Sequence, residues 1–129
     1  MISALVVDAN PAMSAFIAGI CEKTGSFEVH TAESGEAALV WLFTNSVDVI
    51  VSDYQMPEMT GIELLRSLRD QNCRTPFIFF TEDDSGFLRN EAYRHDAYGL
   101  ITRKGTEKKP FLNLMRLMYW AAAPHSSEG

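Results

Sequence analysis

Five short apolar runs punctuate the chain, and between them apolar positions return every three or four residues. Ile2 to Val7 is apolar except for Ser3 and is broken by Asp8-Ala9-Asn10-Pro11, which predicts a strand ending in a turn. Met13, Phe16, Ile17 and Ile20 follow at helical spacing and predict a first helix from about Pro11 to Lys23. After the turn Thr24-Gly25-Ser26, Phe27 to Ala32 reads as a short strand. Ser34 is placed to cap a helix whose apolar face includes Ala38, Leu39, Leu42 and Phe43. Val47 to Ser52 is continuously apolar after Asp48, the pattern of a strand covered on both faces. Ile62, Leu65 and Leu68 mark a helix that ends near Asp70, and Pro76 to Phe80 is another apolar strand. Phe87 to His95 reads as a modest helix and Tyr98 to Thr102 as a fifth strand. A last helix runs from about Lys109 or Pro110 to Ala122, with Phe111, Leu114, Met115, Met118 and Tyr119 directed inward.

Strands alternating with helices through short connections predict an α/β fold. Right-handed crossovers then give one doubly wound, five-stranded parallel sheet covered by helices on both faces, (βα)5 in three layers. No repeat or linker interrupts the pattern, so residues 1–123 read as one domain and 124–129 as a flexible polar tail. In such sheets ligands sit beyond the carboxyl ends of the strands, where the strand order reverses.

Composition narrows the field. The 129 residues are 47% apolar and 22% charged, enough for one domain with a substantial core. A net charge of −6 disfavours nucleic acid and anionic membrane as partners, because no basic stripe is present to meet phosphates. The basic pairs Arg103-Lys104 and Lys108-Lys109 read first as a solvated loop and a helix start. Cys21 and Cys73 lack metal-ligand spacing and are expected as free thiols. No stretch approaches the roughly 20 apolar residues of a membrane span. With the first strand opening at residue 2, no targeting segment is expected and cytoplasmic placement is the default.

The chemistry collects where the strands end. Asp8 follows the first strand, Asp53 the third, Thr81 and Glu82 the fourth, and Arg103 and Lys104 the fifth. A parallel sheet brings these ends to one rim. Two acids held together there raise each other's pKa unless a cation intervenes, and a hard divalent ion such as Mg²⁺ would relieve them and bind phosphoryl oxygens. Asp53 could then act as a nucleophile towards phosphorus, with the Thr81 hydroxyl and a lysine meeting the anion. A nucleotide- or flavin-binding protein of the same architecture fits poorly, since the loop after the first strand has no Gly-rich or Ser/Thr-rich cradle.

The segment Val49-Ile50-Val51-Ser52-Asp53-Tyr54-Gln55-Met56-Pro57-Glu58-Met59-Thr60-Gly61, with Leu5-Val6-Val7-Asp8, Asn10-Pro11 and Phe79-Phe80-Thr81, resembles the receiver domain of two-component response regulators from about Ile2 to Ala123. The resemblance implies a flavodoxin-like, CheY-like fold and a role as a phosphorelay module. Asp53 would become an aspartyl phosphate by transfer from a sensor histidine kinase or phosphotransfer protein. Thr81 and Lys104 would serve the phosphoryl group. Asp8, Asp53 and the main-chain carbonyl of Gln55 would hold Mg²⁺. The face of the fourth helix, fifth strand and fifth helix would meet an output partner or a second copy. The family catalyses its own phosphoryl transfer and hydrolysis but is not a dedicated enzyme. The alternative is a receiver-like interaction domain with weak or lost Mg²⁺-dependent phosphorylation.

Four departures from the family pattern bear on that choice. Ala9 stands where a second acid is usual, which removes a metal ligand. A gap-free count puts the family lysine on Arg103, whereas a shift of one residue puts it on Lys104; the slimmer ammonium favours Lys104. Glu82 replaces a small residue at the entrance to Asp53, and the family's switching aromatic falls on Leu100 or Gly99.

Overall fold

A computed structural model describes residues 1–105 and 107–123. The elements run β1 (Ile2–Val7), α1 (Pro11–Glu22), β2 (Phe27–Ala32), α2 (Gly35–Thr44), β3 (Val49–Ser52), α3 (Gly61–Asp70), β4 (Phe77–Thr81), α4 (Gly86–Arg94), β5 (Gly99–Thr102) and α5 (Lys109–Ala122). All strand pairs are parallel, in the order β2-β1-β3-β4-β5. The flavodoxin-like architecture expected from the sequence is the one observed. The tail proposed for 124–129, with His125, lies outside the described residues.

Strand alternation divides the interior into two layers. Leu5, Val7, Ile50, Phe77 and Phe79 pack with Ala38, Leu64, Leu65, Leu68, Leu88 and Ala92, beneath α2, α3 and α4. Ala4, Val6, Val49, Val51, Ile78 and Phe80 point the other way, onto Ile17, Cys21, Phe111, Leu114 and Met118 of α1 and α5. Both faces of the central strands are therefore covered, which is why they read as unbroken apolar runs.

Local chemistry sets the helix starts. The Asn10 side chain caps α1 by accepting from Ala12 N–H at 3.0 Å, with Pro11 in the first turn. Thr60 and Glu63 form a reciprocal capping box on α3, at 3.2 and 2.8 Å. Thr60→Ala is expected to cost about 1 kcal/mol, read as a lower urea midpoint with an unchanged denaturant slope.

Some inward assignments do not hold. Phe43 is 89% exposed, since it lies five residues beyond buried Ala38 and so falls well round the helix from it. Tyr119 is exposed for a similar reason, one residue past buried Met118. β3 starts at Val49; Asp48 instead ties the preceding turn to β1, accepting from Ser3 N–H at 2.9 Å. Both cysteines are free, and burial pushes the Cys21 thiol up to about 11.

Candidate functional site

The chain turns from β1 to β2 on one side and later lays β3 along the other, so the order reverses at β1 and opens a crevice beyond β1 and β3. The residues at this rim are fixed by the sheet itself. Past the strand ends, Asp8 N–H donates to the Ala32 carbonyl, Asp53 N–H to Val7 and Arg103 N–H to Thr81, at 3.1, 3.0 and 2.8 Å. These bonds prolong the ladders by one residue and leave little freedom in where each side chain starts.

A cavity of about 280 Å³ lies over the rim, lined by Asp8, Asn10, Met13, Asp53, Gln55, Thr81, Glu82, Asp83 and Arg103. Asp8 is 4% exposed, and its Oδ1 accepts from Asn10 N–H at 2.9 Å. The Asp53 side chain is 16% exposed, so it is reachable from the cavity; one oxygen accepts from Tyr54 N–H at 2.7 Å. Thr81 is buried and its oxygen accepts from Asp83 N–H at 3.1 Å, leaving the hydroxyl proton free to donate. The cap of α4 is Ser85.

The cation is Arg103. It is only 7% exposed, against its reading as part of a solvated loop. Nη2 stands 3.6 Å from Asp8 Oδ2 and 3.8 Å from Asp53 Oδ2, and Nη1 donates to Glu82 Oε2 at 3.2 Å. The guanidinium carbon lies 5.3 Å from the centre of the Phe80 ring, a cation–π contact that steadies the group from the apolar side. The expectation that Lys104 supplies this charge is not met by its placement: its Nζ is 3.2 Å from Asp84 Oδ2 in an exposed pair. Strand parity explains the difference. Ile101 packs on the Phe80 side of the sheet, Arg103 two residues on shares that side, and Lys104 does not.

Burial raises the Asp8 carboxyl above its ordinary range. The Asn10 N–H and Arg103 pull it back, while Asp53 and Glu82 push it further up. The site therefore carries three carboxylates around one guanidinium.

These residues do not fit a divalent ion held as the resemblance implies. Ala9 offers no oxygen, the Asn10 side-chain oxygen is engaged in capping α1, and the guanidinium faces the two carboxylates that an ion would share. Among the described residues, no three His, Cys, Asp or Glu side chains gather closely enough to hold a metal ion. Gln55 lines the cavity but brings no charge. Met13 and Asp83 also line it; neither stood out in the sequence, because one reads as core filling and the other as loop.

Comparison with known proteins agrees with this architecture. The family model described as the response regulator receiver domain matches residues 4–112. The heme response regulator HssR of Staphylococcus epidermidis is 34% identical over 103 residues, covering 80% of this chain and 45% of that protein. A probable transcriptional regulatory protein SgaR of Hyphomicrobium methylovorum is 28% identical over 99 residues, 76% of this chain and 47% of that one. The chain thus spans about half the length of these curated relatives. Among solved structures, the Francisella response regulator 1452 receiver domain superposes with a TM-score of 0.80 at 30% identity, covering 93% of this chain and 98% of that chain. Chemotaxis protein CheY4 of Vibrio cholerae gives 0.79 at 28%, covering 90% and 97%. With the family model matching residues 4–112 and the strand order of a doubly wound parallel sheet observed, the chain belongs to the response regulator receiver domain family.

Proposed function

We propose that this receiver domain accepts a phosphoryl group on Asp53 from a phosphohistidine and signals through protein contacts. Receiver domains interact with histidine kinases and output domains, and a sensor kinase or phosphotransfer protein is the donor class that fits here. The observation that carries the reading is the placement of Asp53: a carboxylate at the mouth of the crevice, fixed at its N–H by Val7, beside a buried hydroxyl and a buried guanidinium. In the transfer an Asp53 oxygen forms a bond to phosphorus as the phosphorus–nitrogen bond of the donor breaks, and the departing imidazole takes a proton from solvent. Thr81 donates its hydroxyl proton to a phosphoryl oxygen. Arg103 already faces Asp53 and meets the added charge. Signalling follows as a population shift between two packings biased by these new contacts.

Receiver domains generally bind Mg²⁺. Here Ala9 and the position of Arg103 weaken the case for it, and they favour a second reading: an interaction domain that phosphorylates poorly or not at all. Among the described residues no helix is long and apolar enough to cross a membrane, and the net charge of −6 disfavours nucleic acid as a partner; the signalling role proposed is a cytoplasmic one. The two readings separate by mass spectrometry after incubation with acetyl phosphate and Mg²⁺. Stoichiometric addition of one phosphoryl group, absent in Asp53→Asn, is the expected result. An unmodified wild-type chain leaves the interaction domain.

A further inference from the structure

We propose that Arg103 is the cation of this site in place of a divalent ion, so that the phosphoryl group on Asp53 is received by a guanidinium built into the fold. Three observations carry this. First, the charge is fixed: Arg103 is buried, its N–H is bonded to Thr81, and its guanidinium rests against Phe80. Second, it holds donors in reserve. Nε is buried without a hydrogen-bond partner, and Nη2 faces Asp8 and Asp53 at distances longer than a hydrogen bond. Nε and Nη2 form the adjacent pair that meets an oxyanion in two parallel bonds. Third, the coordination set lacks an acid at Ala9, while the remaining charge of Asp8 and Asp53 is already met by the same guanidinium.

Glu82 completes the arrangement. Its side chain is 70% exposed and holds only Nη1, so it can leave for solvent at little cost when a phosphoryl group arrives. The proposal rests on the Asp53 reading only for the identity of the oxyanion; which cation serves the site is measured separately. With acetyl phosphate as donor, an Asp53 oxygen bonds to phosphorus, the phosphorus–oxygen bond to acetate breaks, and acetate leaves with the electron pair, so no proton or further reactant is required.

The test uses the whole chain in two arms. In the first, acetyl phosphate is added with a chelator or with millimolar Mg²⁺, and the Asp53 adduct is followed by mass spectrometry. Equal rates in the two conditions are expected, with a loss on the order of a hundredfold in Arg103→Ala and partial retention in Arg103→Lys. In the second, Mn²⁺ is titrated while amide NMR signals are observed. Those of Asp8, Asp53 and Gln55 should stay sharp in the wild type and broaden in Ala9→Asp. Should Arg103→Ala fail to fold, the wild-type and Ala9→Asp measurements still decide. An adduct that forms only with Mg²⁺, or wild-type signals that broaden selectively at this rim, overturns the proposal and leaves the Asp53 reading standing. No adduct in either condition overturns the Asp53 reading, and the Mn²⁺ arm then decides the cation alone.

Discussion

Gly61→Ala is expected to destabilise the protein by about 2–3 kcal/mol and to disturb Asp53 with it. A Cβ at position 61 would collide with the Asp53 carbonyl oxygen, lie 2.7 Å from Cε1 of Phe79 and 3.2 Å from Cα of Tyr54. Two of these three are backbone atoms of the loop that carries the acid, and the third belongs to a fully buried ring. None can step aside as the end of a flexible chain could. Gly61 N–H also donates to the Tyr54 carbonyl at 2.9 Å, so the loop cannot retreat without losing the bond that closes it. The glycine is thus required by close approach of two backbones rather than by an unusual backbone angle. Gly19 is the control: it is exposed within α1 with nothing within 4 Å of its added Cβ, and Gly19→Ala should stabilise by about 0.5–1 kcal/mol. Urea denaturation of both variants separates the outcomes. Equal effects at the two positions would show that the Gly61 contact relaxes.

The fold was legible because its signal is redundant. Phe77, Phe79 and Leu5 on one face, with Ile78, Phe80 and Val6 on the other, give the central strands short apolar runs on both faces, and their length and flanking turn residues mark them as strands. Asp53 was legible because its strand, its Met-Pro turn and Gly61 all point to the same place. Helix α2 was harder. Apolar residues surround it, so periodicity alone could not tell that Ala38 is inside and Phe43 outside. The cation was lost for a different reason. Position in the strand pointed to Arg103, but the preference for a slim ammonium outweighed it. Parity along β5 and the Phe80 ring decide the matter, and only the second is invisible in one dimension.

Arg103→Ala is expected to cost about 3–5 kcal/mol near neutral pH, the usual result of leaving a buried charge without its partner. The charge left behind is chiefly that of Asp8, at 4% exposure, because Glu82 can turn to solvent. The dependence on pH has a definite sign. Burial raises the Asp8 carboxyl in the folded protein above the ordinary 3.8, so across that interval the folded chain holds more protons than the unfolded one. The contribution of this group is fully present below 3.8 and is lost as pH rises through the folded value. Arg103 is one of two influences that pull this value down, the Asn10 N–H being the other. Removing it extends the interval upward and enlarges the loss at neutral pH, so Arg103→Ala should gain stability on mild acidification relative to the wild type. Asp8→Asn keeps an oxygen that can accept from Asn10 N–H but cannot ionise. The double variant Asp8→Asn/Arg103→Ala should therefore recover much of the loss, and the added pH dependence should disappear. Urea unfolding of the four chains across the acid range measures both effects as one double-mutant cycle. If Asp8→Asn recovers nothing, the guanidinium is held for Asp53 and Glu82 rather than for Asp8, and the cost of the buried acid is met by the Asn10 N–H alone.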